Sequence, residues 1–361
     1  MKTNITAAIA ALSLFASSCA STGAPEAGSA QPGPTGTERG NKTLSEAYRD
    51  HFPIGAAVAA GEYGFDSLKR YPPELLAEFG SLTAENAMKP VVIQPSRGTF
   101  SWKAADAIAD FARENGMRMR GHTLVWHNQS PAWMFRTTGP VEERRAWARE
   151  MLREHMTAVM TRYKGTVYCW DVVNEAVADG NGSSIYRTDS PWYKMWGDGT
   201  YVREAFAIAR SVDPDALLFY NDYNLDDYRK RDRVVRMLKE QNLVRDKLID
   251  GIGTQGHWGI DWPGIENIQD EIDEFSEMGL AVHVTELDIT CPANRQGRLA
   301  DRYDEIFALL RENAGKVTSV TFWGVADDHT WLNDFRGFKN YPFVFDGKHQ
   351  PKKAYFRVRD F

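Results

Sequence analysis

Residues 167–176 read VYCWDVVNEA, a short apolar and β-branched run from Val167 to Asn174 that stops on two polar side chains, Asn174 and Glu175. A continuous apolar run of this length suits a strand buried on both faces, and such strands belong mainly to parallel sheets covered by helices. Seven more stretches have the same form: Ile54 to Ala59, Ser81 to Glu85, Arg118 to Val125, Leu217 to Asn221, Gly251 to Gln255, Ala281 to Glu286 and Ser319 to Trp323. Between them lie amphipathic segments. Ile265, Ile268, Ile272, Phe275 and Met278, and later Leu299, Tyr303, Ile306 and Leu310, keep the three- and four-residue spacing of one buried helix face. Eight strands alternating with helices predict a (β/α)8 barrel, a TIM barrel, rather than an open sheet.

The ends of these strands carry the polar groups. TAENAMK (83–89), GHTLVWH (121–127), WDVVNEA (170–176), YNDYN (220–224), GTQGHW (253–258), VTELDI (284–289) and FWG (322–324) each close an apolar run with side chains able to hydrogen-bond a ligand. In a barrel those ends share the C-terminal face, where such enzymes carry their chemistry. One cluster alone would be polar residues leaving a strand for solvent. Seven, with Trp interleaved, point to a single mouth.

Composition narrows the partners. The 361 residues hold 43 Lys+Arg against 49 Asp+Glu, a formal charge of −6, with 43% hydrophobic and 25% charged residues. This excludes intrinsic disorder, and it lacks the basic surplus of a nucleic-acid binder. Three Cys in such a length cannot make a disulfide scaffold, so apolar burial has to hold the core.

Two carboxylates stand out, Glu175 at the end of the fourth strand and Glu286 at the end of the seventh. These strands lie across the barrel, so two inward Glu side chains are expected about 5 to 5.5 Å apart, the spacing of a retaining glycosidase. Paired carboxylates without a metal-ligand set suit glycosidic cleavage, with Glu286 as nucleophile and Glu175 as acid/base.

With WDVVNEA, VTELDI, TAENAMK, HTLVWHNQ and TQGHW together, the chain from about Leu44 to Phe361 resembles a glycoside hydrolase family 10 endo-1,4-β-xylanase. The resemblance implies a (β/α)8 barrel with retaining chemistry, the acid/base in NEA at Glu175 and the nucleophile in TEL at Glu286. It further implies sugar-binding roles for Glu85, Asn86, Lys89, His122, Trp126, Gln129, Asn174, Gln255, His257, Trp323 and Trp331. Gln129 and Trp331 are the residues it implies would crowd a hydroxymethyl group and so favour xylan over cellulose.

Physical roles follow for several of them. Asn174 is placed to bond the sugar 2-OH, a contact that strengthens in the transition state. His257 and Asp288 are expected to flank Glu286 and hold its carboxylate ionised. Glu175 has to begin the cycle protonated, helped by the charge on Glu286. Trp126, Trp323 and Trp331 offer flat faces for pyranose stacking, while Glu85, Asn86 and Lys89 read hydroxyls. Trp147, within a long helix, is expected in the core.

Other motifs fail on context. Gly251, Gly253 and Gly256 satisfy G-x-G-x-x-G, but His257, Trp258 and Pro263 follow, so no helix N-terminus is available for a pyrophosphate. His122 and His127 stand five apart on a strand and are expected to face opposite sides, and no Cys/His group has zinc spacing. The run Asn221 to Asp227 lacks the mid-loop Gly and closing Glu of a calcium loop. No cofactor and no metal are expected. Cys169 and Cys291 fall at different heights of the barrel and are expected as free thiols.

The N-terminus reads as an export signal. Lys2 precedes an apolar stretch from Ile5 to Phe15 and then Ala16, Ser17, Ser18 and Cys19. Residues 1–18 form a signal peptide, and a Cys after small residues resembles a bacterial lipoprotein box, although Ala16 replaces the usual Leu. Lipidation of Cys19 would tether an exported protein at the periplasmic or cell surface; without it the protein is secreted. Residues 19–41, rich in Gly, Pro, Ser, Thr and Ala, are a linker, and residues 42–361 form one catalytic barrel. The expected partner is xylan or a xylo-oligosaccharide, with the membrane met only through the anchor and the protein a monomer. Two other readings are a cellulase or mixed β-glucanase, and a glycan-binding lipoprotein without turnover.

Overall fold

The computed structural model describes residues 42–361. The signal peptide, Cys19 and the linker to residue 41 lie outside the described residues. Among the described residues nine strands occur in order: β1 (Ile54–Val58), β2 (Ser81–Ala84), β3 (Arg118–Trp126), β4 (Val167–Asn174), β5 (Leu217–Asp222), β6 (Gly251–Thr254), β7 (His257–Gly259), β8 (Ala281–Thr290) and β9 (Val317–Phe322). Eight of them close a parallel ring in sequence order, with β6 pairing β8 directly and β9 returning to β1. Helices run between strands, which is the (β/α)8 barrel read from the strand pattern.

The ninth strand is a difference from that reading, and it matters for the site. β7 stands outside the ring and pairs the upper part of β8, with His257 opposite Asp288 and Gly259 opposite Thr290. Given this partner, β8 continues four residues past Glu286 to Thr290. Alternation along an extended strand then puts Glu286 and Asp288 on one face, beside His257.

The helices bury the faces their spacing indicates. Ile265–Glu277 buries Ile268, Ile272 and Phe275, and Gln296–Glu312 buries Leu299, Tyr303, Ile306 and Leu310. Each such side chain contributes roughly 1.5–3 kcal/mol by leaving water. Trp147 is only half-buried on helix Val141–Tyr163, where the Arg97 guanidinium lies 5.8 Å from its ring centre. Cys169 and Cys291 are free and buried, and burial pushes both thiols up to about 11.

One local expectation is corrected. Simple alternation along β3 put His122 and His127 on opposite sides, but the pairing of β3 with β4 shifts register between His122 and Val125. The parity is broken there, and both imidazoles reach the mouth. His122 Nδ1 lies 4.0 Å from Glu286 Oε1, and His127 Nδ1 lies 4.0 Å from Glu175 Oε2.

Candidate active site

Glu286 is 5% exposed on β8. Its Oε1 accepts a hydrogen bond from Asn221 Nδ2 at 2.8 Å, and its Oε2 lies 3.0 Å from His257 Nε2. Burial alone would push this carboxyl up. The His257 hydrogen bond and the charges of His122 and His257 outweigh burial and hold it below the ordinary carboxylate value.

The opposite nitrogen of His257, Nδ1, lies 2.9 Å from Asp288 Oδ1. Burial opposes the imidazolium, but the charge and hydrogen bond of Asp288, with those of Glu286, lift it to about 10. Asp288 therefore acts on Glu286 at one remove, through His257, rather than flanking it directly. Its second oxygen accepts from Trp331 Nε1 at 2.7 Å.

Glu175 follows directly on β4, with its backbone in the left-handed region at φ 55°. Its Oε1 accepts from Gln255 Nε2 at 2.9 Å and Asn174 Nδ2 at 3.1 Å, and its Oε2 accepts from Trp126 Nε1 at 2.9 Å. The two carboxylates are linked through amides. Asn221 Nδ2, which donates to Glu286, also donates to Asn174 Oδ1 at 2.8 Å.

The space for Asn221 comes from an absent side chain. A Cβ on Gly253 would lie 2.3 Å from Asn221 Oδ1 and 2.9 Å from Thr285 Cγ2. That close approach, not a phosphate loop, is the physical use of the middle glycine in G-x-G-x-x-G. Thr285 Oγ1 donates to the same Asn221 oxygen at 2.6 Å.

A polar and aromatic wall completes one side. Lys89, 6% exposed, donates from Nζ to Asn86 Oδ1 at 3.0 Å and lies 5.1 Å from the Trp126 ring and 5.9 Å from that of Trp323. Burial pushes its ammonium down, and Glu85, Glu286 and Glu175 only partly restore it. Glu85 Oε2 lies 3.2 Å from His329 Nε2. His122 Nδ1 is 2.9 Å from Asp171 Oδ2. Gln129 stands apart, its Nε2 3.5 Å from the exposed Tyr63 hydroxyl and linked to neither carboxylate.

A pair of carboxylates in opposed strand ends, one held below its ordinary value and both lined by planar rings and hydrogen-bonding side chains, is suited to polysaccharide chemistry. The sequence profile of glycosyl hydrolase family 10 matches residues 43–361. The chain belongs to glycosyl hydrolase family 10. Among relatives of this family, a β-1,4-xylanase of Dictyoglomus thermophilum is 44% identical over 337 residues, covering 88% of this chain and 91% of its own. Endo-1,4-β-xylanase B of Paenibacillus barcinonensis is 41% identical over 337 residues, covering 88% of this chain and 97% of its own. The crystal structure of the xylanase XynB from Paenibacillus barcinonensis with a conduramine derivative superposes at a TM-score of 0.81 and 40% identity, covering 88% of this chain and 98% of that one.

Within this family-10 site the structure gathers Asn174, Gln255, His257, Trp126, His122 and Lys89 around the two carboxylates, with Asn86, Glu85, Trp323 and Trp331 in the surrounding wall. Three groups escaped the sequence reading: Asn221, His127 and Asp171. YNDYN reads as a polar strand end, and inward parity on β5 is the signal that selects Asn221 within it.

Proposed function

We propose that this family-10 chain hydrolyses internal β-1,4-xylosidic linkages of xylan with retention, Glu286 acting as nucleophile and Glu175 as acid/base. The observation that carries the reading is the contrast at Glu286. Buried among side chains, its carboxylate is nevertheless held below the ordinary carboxylate value by the His257 hydrogen bond and the charges of His122 and His257, which suits a nucleophile and not a proton donor.

In the first step a Glu286 oxygen bonds to the anomeric carbon as the C–O bond to the leaving sugar breaks, and the Glu175 proton passes to that leaving oxygen. In the second, Glu175 takes a proton from water, the water oxygen bonds to the anomeric carbon, and Glu286 departs as carboxylate. Glu175 Oε1 already accepts two amide hydrogens, so the mobile proton belongs on Oε2, beside Trp126. Asn174 receives the sugar 2-OH, and Trp126, Trp323 and Trp331 hold pyranose rings.

The reading of xylan draws support from the named relatives and from a related structure solved with xylotriose, 38% identical with a TM-score of 0.80. It is tested by soluble xylan beside carboxymethyl cellulose, with Glu286→Gln and Glu175→Gln alongside. Retained xylanase activity in either variant would refute the roles, and sugar release without loss of xylan viscosity would refute internal attack. The α-anomer appearing first by NMR would refute retention. Export with a lipid on Cys19 is part of the proposal, and Cys19→Ala should then move the protein from the membrane to the soluble fraction.

A further inference from the structure

The backbone at Glu175 adopts φ 55°, a conformation that a residue with a Cβ keeps only where its surroundings impose it. Here they impose it from both sides. The Glu175 N–H donates to the Asn221 carbonyl at 2.9 Å. The next two N–H groups, of Ala176 and Val177, both donate to one atom, the hydroxyl oxygen of Tyr220, at 3.0 and 3.1 Å. Tyr220 is fully buried, and its hydroxyl donates in turn to Asp222. Two hydrogen bonds accepted and one donated exhaust what a phenol can offer.

From Asp222 the contacts run back to Glu175. Lys230 Nζ lies 2.8 Å from Asp222 and 2.7 Å from Asp179. Asp179 accepts from the Arg187 guanidinium at 2.7 Å, and Arg187 Nε donates to the Glu175 carbonyl oxygen at 3.3 Å. A closed circuit of five side chains thus clasps the peptide group that follows Glu175, Tyr220 at its N–H and Arg187 at its carbonyl, without touching the Glu175 carboxyl.

We propose that Tyr220 is a positioning residue for proton transfer: its hydroxyl sets the turn that aims the Glu175 carboxyl at the glycosidic oxygen, with Arg187 securing the carbonyl end of the same peptide group. The inference rests on the acid/base reading of Glu175. Tyr220 meets no sugar, so it acts only on the step that needs the proton. Proton transfer demands close alignment between donor and acceptor, whereas departure of a strongly activated phenolate needs no proton.

The test compares Tyr220→Phe with the native enzyme on two aryl β-xylobiosides, using kcat/KM, which reports glycosylation. Phenyl xylobioside needs acid assistance; 2,4-dinitrophenyl xylobioside does not. The expected result is a loss of about tenfold or more on the phenyl substrate with less than about threefold on the dinitrophenyl one. An equal loss on both, or none on either, would overturn the proposal, since a merely structural role lowers both together. Should Tyr220→Phe fail to fold, Arg187→Lys removes the Nε donor at the rim and is expected to show a smaller loss of the same selectivity; an even loss or none overturns the proposal. Glu175→Gln on the same pair separates the two readings. If it shows the selective loss and Tyr220→Phe does not, only the role of Tyr220 falls; if Glu175→Gln itself loses evenly, both fall.

Discussion

His257 Nε2 lies 3.0 Å from Oε2 of Glu286, while the other face of the same imidazole meets Asp288 at 2.9 Å. One partly buried cation is therefore bracketed by two buried carboxylates. Neither acid could ionise comfortably there without it. The arrangement converts a hostile position for negative charge into the position where a nucleophile is kept ready.

Replacing His257 with Gln keeps a donor near Glu286 and removes the charge. Burial then dominates, the Glu286 carboxyl rises, and the acidic limb of the kcat/KM profile should move to higher pH, because a protonated Glu286 cannot attack. The loss of kcat should be on the order of 10²-fold, as for removal of one preorganised electrostatic partner. The imidazole value of about 10, against 6.5 when free, also links to stability. A raised folded value stabilises fully below the free value and loses that contribution as pH rises through about 10. Melting temperatures of native and variant enzyme should therefore converge in strong alkali, and pH-rate profiles with melting curves check both expectations.

Gly253→Ala tests the space behind the site. The new methyl group would meet the Asn221 side chain that holds Glu286, so stability and turnover should fall together. Overpacking of this kind costs about 1–3 kcal/mol. Urea unfolding and kcat on xylan measure the two effects, and a full loss of stability without any loss of kcat would separate them.

Trp331→Phe keeps a flat face for sugar but removes the indole N–H that serves Asp288. A fully buried carboxylate oxygen loses its donor, a cost of about 1–3 kcal/mol. The change reaches Glu286 through His257, so kcat should drop while KM changes little. Separate determination of the two constants on a xylo-oligosaccharide decides it.

Glu271 carries the opposite charge problem. It is fully buried on helix Ile265–Glu277, and among the described residues neither carboxylate oxygen has a hydrogen-bond partner. Burial first, and the charge of Asp226 next, push it up to about 8. An acid whose folded value is raised takes up a proton on folding, so its contribution is harmless below 4.5 and increasingly destabilising up to about 8. Glu271→Gln should match the native protein in acid and melt higher by about 3 °C or more at alkaline pH.

Much of this was legible because barrel strands announce themselves twice, by an apolar run and by the polar residues that end it. VYCWDVVNEA contains both signals, and VTELDI places Glu286 and Asp288 on one face by alternation alone. What stayed hidden depends on neighbours. β7 is three residues long and exists only because β8 extends beside it. The opposite-face expectation for His122 and His127 failed because strand pairing shifts between His122 and Val125, which no periodicity reveals. In YNDYN, Asn221 is one polar residue among several, and what singles it out is the room that Gly253 leaves for it on the adjoining strand.

The floor beneath Glu286 has a consequence for engineering. Arg120 is ion-paired with Asp171 and reaches His283 Nδ1 at 2.7 Å; Asp171 carries the contact on to His122, and His122 to Glu286. All four of the lower side chains are at most 2% exposed. Elsewhere, exchanging a buried ion pair for well-packed apolar groups often stabilises a protein. In this column the exchange would cut the wiring that sets the nucleophile's charge, so thermostable variants should be sought in the helical shell, leaving the barrel's axis as it is.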